Sequence, residues 1–176
     1  TDGSTALLWA ANLNDTDLVS RLIKAGANAK AKNQLGSTPL SEAVYNSNTE
    51  MVKVLLDAGA DPNATGPDGQ TPLMVVAKTS NVAIAKLLLD KGANVNAVMT
   101  KNPPRYGIHL FHMMPLSGAT PFFLAALSAD TPTMKLLVAK GADPKVLNQN
   151  KSTALMVAAG LGRVPGDSLI DRKSVV

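Results

Sequence analysis

A repeat with a period of 33 residues is the feature that most restricts the fold of this chain. Thr5, Thr38 and Thr71 are spaced by 33 residues, and each is followed by Ala or Pro and then Leu. Glycine–alanine pairs with the same spacing begin at Gly26, Gly59 and Gly92. Two independent markers in one register indicate a supersecondary unit that is stacked on copies of itself.

The period is interrupted once. Thr120 follows Thr71 by 49 residues, which is one period plus 16, and Thr153 again follows Thr120 by 33. This step predicts an insertion over 98–117, between the third and the fourth unit. The predicted units are about 1–32, 33–65, 66–97 and 115–147, followed by a partial unit over 148–176.

The composition agrees with thin helical layers. Aromatic residues make up 3% of the chain and hydrophobic residues 45%, so Leu, Ala and Val must fill most of the interior. The chain has no cysteine, which excludes disulfides and thiolate metal sites. No apolar run approaches the roughly 20 residues of a membrane span, so no membrane insertion is predicted. We expect a soluble protein, cytoplasmic or periplasmic.

The second unit shows how each repeat should fold. Thr38 is a favourable N-cap, and Pro39 is tolerated in the first turn of a helix, so a first helix is predicted over about 39–46. The polar break that follows, with Thr49 as the next N-cap, predicts a second helix over 49–58. Gly59 then supplies the left-handed conformation that ends the helix.

This unit resembles the ankyrin repeat, which consists of two antiparallel helices and a protruding turn. The resemblance lies in the GxTPL motif at 36–40, the Leu pair at 55–56 and the GADxN motif at 59–63, which recur in the other units. It implies an all-α ankyrin-repeat solenoid with protruding β-turn or hairpin loops. The usual His after the TPL motif is replaced by Leu8, Ser41, Met74, Phe123 and Met156.

The resemblance also implies a function. Ankyrin-repeat domains are non-catalytic scaffolds that bind other proteins along a groove lined by the turn tips and the first helices. Pro67 is expected both as a turn former and as a groove residue, and Leu35 and Tyr45 are the exposed apolar groups at such positions. The predicted partner-binding residues of the repeats are Leu13, Leu35, Tyr45, Asn46, Asp68, Gln70 and Lys78.

The insertion is the second predicted contact surface. Aromatic residues and Met are enriched in the cores of interfaces, and the insertion contains Tyr106, Phe111, Met113 and Met114. One hypothesis is that these residues anchor a partner. The other is that the insertion folds back and covers the groove beside the third and fourth units.

Other functional classes lack support in the sequence. The 17 basic residues are scattered among 13 acidic ones despite a net charge of +4, so no nucleic-acid partner is predicted. Both histidines, His109 and His112, lie in the insertion without a positioned nucleophile or further ligands. We therefore expect no enzymatic activity, no cofactor and no metal, and a monomer that binds another protein.

Two alternative functions and two structural questions stay open. The chain could be an auxiliary segment of a larger enzyme or envelope protein, or a purely structural array that associates with itself. The atypical fifth unit, with a second helix expected near 168–172, is either a cap or a truncated repeat, and Trp9 either closes the stack or packs on a preceding unit. The segments 118–130 and 153–163 resemble ankyrin proteins of environmental bacteria, so a bacterial origin is expected.

Overall fold

A computed structural model of the chain describes residues 2–102 and 116–159. This part contains nine helices and no strand. The helices are α1 (Ala6–Asn12), α2 (Thr16–Lys24), α3 (Pro39–Tyr45), α4 (Thr49–Asp57), α5 (Pro72–Thr79), α6 (Val82–Asp90), α7 (Pro121–Leu127), α8 (Thr131–Ala139) and α9 (Ala154–Ala158). Each complete unit therefore has a first helix of seven or eight residues and a second helix of nine.

Threonine side chains begin the first helices, as predicted. The Ser41 N–H donates to the Thr38 hydroxyl (3.1 Å). This bond satisfies an N–H group that a helix end leaves unpaired. The same cap occurs at Thr5, Thr71, Thr120 and Thr153.

The predicted cap of α4 is wrong by one residue. Asn48, and not Thr49, is the N-cap, because its Oδ1 accepts from the Met51 N–H (2.9 Å). The Asn48 amide also donates to Asn14 Oδ1 in the preceding unit (2.8 Å), and this contact between units favours asparagine at the cap. The helix ends at Asp57, one residue before the predicted end.

The left-handed turn predicted after the second helix is confirmed. Gly59 has a φ of +85°, and the equivalent Gly26, Gly92 and Gly141 have φ values of +88°, +86° and +90°. An L-residue is strained in this region of backbone space. The glycines therefore allow the chain to leave each second helix at the same angle.

The units stack into one continuous core. The first helices α1, α3, α5, α7 and α9 pack in sequence against one another, and so do α2, α4, α6 and α8. Leu40 and Val44 of α3 and Met51 and Leu55 of α4 are buried, which confirms the predicted apolar stripes. Because each layer buries its apolar face on its neighbours, the fold is the all-α solenoid that the repeat predicts.

Asparagine side chains connect successive units on the outer turns. Asn63 donates to the Gly92 carbonyl (3.0 Å) and accepts from the Asn94 N–H (2.7 Å). Asn96 makes the equivalent pair with the Gly141 carbonyl and the Asp143 N–H, both at 3.0 Å. The second pair spans the predicted insertion, so the fourth unit is joined to the third by the same contacts that join the third to the second.

The two ends of the inserted segment are held together. The Met99 N–H donates to the Ala119 carbonyl (2.9 Å), and the Gly118 N–H donates to the Met99 carbonyl (2.8 Å). The Asn102 side chain accepts from the Leu116 and Ser117 N–H groups (2.7 and 3.0 Å). These contacts form a closed stem at the base of the segment.

Several predictions fall outside the described residues. They concern Tyr106, Phe111, Met113 and Met114, both histidines, and the second helix of the fifth unit. Trp9 lies within the described residues and is 55% exposed. It is the residue of the first unit that corresponds to Glu42 in the second. None of the helices in residues 2–102 and 116–159 is long and apolar enough to cross a bilayer.

Candidate functional site

An open cleft of about 430 Å³ lies between the second and third units. Two turns form its rim: the second tip, residues 33–37, and the third tip, residues 66–70. The inner faces of α3 and α5 form the rest of the wall. The side chains that reach the cleft from these helices and their caps are those of Thr38, Ser41, Tyr45, Thr71, Pro72 and Val75.

The cleft combines a buried floor with an exposed apolar rim. Val75 is 6% exposed and Pro72 is buried, whereas Leu35 is 67% and Tyr45 60% exposed. The free energy of the system falls when a second molecule covers such apolar surface and removes it from water. Leu35 and Tyr45 are thus two large apolar side chains that stay in contact with water at the rim of the cleft.

The cleft coincides with a missing hydrogen bond between tips. Elsewhere, each tip donates at least one backbone N–H to the preceding tip: Gln34 to the Asp2 carbonyl (2.9 Å), Thr100 and Lys101 to the Asp68 carbonyl (both 3.0 Å) and Gln149 to the Ser117 carbonyl (2.9 Å). In the third tip the donor position is Pro67, which has no N–H. Within the described residues, the Leu35 carbonyl oxygen consequently accepts no hydrogen bond.

The third tip is fixed by local contacts. The Gln70 N–H donates to Asp68 Oδ1 (3.0 Å), and the Gly66 N–H donates to the Gln70 carbonyl (3.1 Å). Gly69 has a φ of +79°, and a Cβ at that position would lie 2.8 Å from the Thr100 nitrogen. Glycine is therefore required here, and the tight turn holds Asp68 at the edge of the cleft.

Charged groups influence the Tyr45 hydroxyl and the neighbouring Lys78. Partial burial raises the pKa of the Tyr45 hydroxyl, and the negative charges of Asp68 and Glu42 raise it further. Burial lowers the pKa of Lys78, although the Asp68 carboxylate partly opposes this shift. The Lys78 ammonium group donates to Gln70 Oε1 (3.2 Å).

The structure brings most of the predicted repeat residues together. Leu35, Tyr45, Asp68 and Gln70 line one cleft, and Lys78 contacts it through Gln70. These four lining residues come from two units, which explains why no single repeat shows the site.

Two predicted residues lie apart from the cleft. Leu13 is 71% exposed at the C-terminal end of α1 and does not line it. The Asn46 amide donates to the Ala11 carbonyl of the preceding unit (3.0 Å). Asn46 thus has a structural contact that the sequence does not reveal.

The role of Pro67 could have been found from the register. Pro67 stands 33 residues after Gln34 and 33 before Thr100, two residues whose N–H groups join neighbouring tips. Glu42 was not among the predicted residues. The sequence signal for Glu42 is that it is the only charged residue of α3.

Family models account for most of the chain. A model of ankyrin repeats in three copies matches residues 1–66, and a model of the single ankyrin repeat matches residues 68–99 and 117–149. The chain belongs to the ankyrin-repeat family. Ankyrin repeats are general protein-interaction modules and are generally non-catalytic. A comparison with curated proteins found no match.

Proposed function

We propose that this chain is a non-catalytic module that binds a partner polypeptide in the cleft between its second and third units. The observation that carries the proposal is the exposed pair Leu35 and Tyr45 above a buried floor, at the one described tip junction without a backbone hydrogen bond. Because the second and third tips, both of which the structure describes, share no backbone hydrogen bond, the Leu35 carbonyl is available to another polypeptide, together with the exposed Leu35 and Tyr45 side chains. Leu13, outside the cleft, and the insertion residues Tyr106, Phe111, Met113 and Met114 stay predicted contact residues for the same partner.

The two exposed side chains should supply much of the affinity. Complete burial of a large apolar side chain is worth about 1.5–3 kcal/mol, and each of these two still exposes about two thirds of its surface. Truncation to alanine should then cost about 1–2 kcal/mol of binding, or roughly a tenfold change in Kd. The fold should be unaffected, since neither side chain is in the core.

A selection from a random phage-displayed peptide library on the immobilised chain tests the proposal. The Kd of each enriched peptide is then measured by fluorescence polarisation for the wild type and for Leu35→Ala and Tyr45→Ala. Val138→Ala is the matched control, because Val138 is 50% exposed on α8, away from the cleft. We expect both cleft variants to bind about tenfold more weakly and the control to bind unchanged.

Circular dichroism and thermal melting of all three variants establish that their fold is intact. If every enriched peptide binds the two cleft variants as tightly as the wild type, the cleft is not the binding site. Sedimentation velocity at several concentrations tests the accompanying proposal that the chain is a monomer, and a concentration-dependent increase would contradict it.

A further inference from the structure

Three oxygen atoms near Tyr45 have no hydrogen-bond donor among the described residues: one each on Leu35 and Asp68, which line the cleft, and one on Glu42, which lies beside the cleft on α3 and does not line it. Glu42 Oε2 accepts from the Asn12 amide (3.1 Å), and Asp68 Oδ1 accepts from the Gln70 N–H (3.0 Å). The other carboxylate oxygens, Glu42 Oε1 and Asp68 Oδ2, have no protein partner within residues 2–102 and 116–159, and neither has the Leu35 carbonyl oxygen. The open polar positions around Tyr45 therefore include three acceptors, two of which carry negative charge.

This local charge differs from that of the chain as a whole. The net charge is +4, but the five first helices in the described part contain only two charged side chains, Glu42 and Lys78. Lys78 is half-buried and bonded to Gln70. Basic residues such as Arg21, Lys53 and Lys86 lie on the second helices instead.

Tyr45 has one carboxylate near it on its own helix and a second on the facing tip. Glu42 is three residues earlier on α3, which places it on the same face of the helix one turn away. Asp68 lies on the third tip, on the opposite side of the cleft. In agreement with this placement, the pKa of the Tyr45 hydroxyl is raised first by partial burial and then by the negative charges of Asp68 and Glu42.

On the basis of the proposed function, we propose that the occupant of the cleft is an extended polypeptide segment that places an arginine over the Tyr45 ring, between Glu42 and Asp68. An arginine guanidinium is planar, stacks on aromatic faces and presents five N–H donors. It can therefore contact the ring and the unpaired acceptors together, whereas lysine offers a compact point charge. In an extended segment, the residue two positions away faces the same side, and an aliphatic residue there would contact Leu35.

The peptides selected on the full chain are the probe. Each is synthesised again with its arginine replaced by glutamine, and its Kd is measured against Glu42→Gln and Asp68→Asn. Both substitutions remove a charge and keep a carbonyl oxygen that accepts the existing hydrogen bond. Glu50→Gln is the matched control, because Glu50 is an exposed carboxylate in the first turn of α4, whereas Glu42 lies on α3 one turn from Tyr45.

We expect arginine-containing peptides to be enriched. Glu42→Gln, Asp68→Asn and each arginine-to-glutamine peptide should give about three- to tenfold weaker binding. Lys78→Gln should change affinity in the opposite direction, by about two- to threefold, because it removes the positive charge beside Asp68. Glu50→Gln should leave Kd unchanged.

The outcomes separate this inference from the proposed function. Peptides that require Tyr45 but lack arginine, or that bind Glu42→Gln and Asp68→Asn as tightly as the wild type, would overturn the inference and leave the cleft as the binding site. Peptides that depend on neither Leu35 nor Tyr45 would overturn both. If the peptides bind Glu42→Gln and Asp68→Asn more weakly than the wild type, and the melting temperatures of these variants are unchanged, the proposed arginine contact is supported.

Discussion

Replacement of Gly69 by alanine tests whether the third tip is held by its contact with the segment that follows it. Gly69 has a φ of +79°, and a Cβ there would lie 2.8 Å from the Thr100 nitrogen and 2.5 Å from its hydroxyl oxygen. Gly92 is the matched control. It has a φ of +86°, but its Cβ would meet no atom within 4 Å.

The two substitutions share one cost and differ in another. A left-handed conformation costs an L-residue about 1–2 kcal/mol, and this strain applies to both positions. At Gly69 the new Cβ must also displace Thr100, whose N–H and hydroxyl both donate to the Asp68 carbonyl at 3.0 Å, as does the Lys101 N–H. Loss of one or two of these bonds adds about 0.5–3 kcal/mol.

Urea denaturation followed by far-UV circular dichroism measures the difference. We expect Gly92→Ala to lower the free energy of unfolding by about 1–2 kcal/mol and Gly69→Ala to lower it by about 1.5–5 kcal/mol. Equal destabilisation by the two variants would refute the reasoning. It would mean that the left-handed backbone strain accounts for the whole loss of stability and that the close approach of Thr100 adds nothing to it.

Two further predictions concern the core and the outer surface. Leu55→Ala, at a position that is fully buried in α4, should lower the free energy of unfolding by about 2–5 kcal/mol in the same urea assay; a loss below that of an exposed-site control would contradict the assigned burial. Asp57 lies 2.7 Å from the Lys91 ammonium group, and the hydrogen bond to Lys91 and its charge lower the pKa of Asp57. Because the folded-state pKa is lowered, the stabilisation is present above the ordinary value of 3.8 and is lost as the pH falls through the lowered value. Asp57→Asn should therefore reduce the melting temperature slightly near neutral pH, but not in strong acid or high salt.

The architecture could be predicted because each repeat contains its own start and stop signals. Thr38 and Gly59 act within one unit, through a cap and a left-handed turn, and both predictions are confirmed. The cap of α4 could not be predicted in the same way. Asn48 and Thr49 are both favourable caps, and the choice depends on the contact of Asn48 with Asn14 in the neighbouring unit.

The candidate site could be predicted only in part for a similar reason. Leu35 and Tyr45 are apolar residues at positions that face outward, so their exposure could be predicted from the repeat and is confirmed. The bond from Asn46 to Ala11 and the unpaired carbonyl of Leu35 depend on two units at once. Such contacts become predictable only after the units have been aligned in register.

The closed stem at the base of the inserted segment has a consequence for how such a chain can vary. The backbone of Met99 is hydrogen-bonded to that of Ala119, and three residues earlier the Asn96 side chain donates to the Gly141 carbonyl of the next unit. The stack therefore depends on where the segment leaves and returns, and the entropy of closing a loop rises only by about 0.6 kcal/mol for each doubling of its length. Residues 103–115 occupy a position at which sequences of other lengths could be exchanged during evolution, or grafted by design, without changing the register of the repeats.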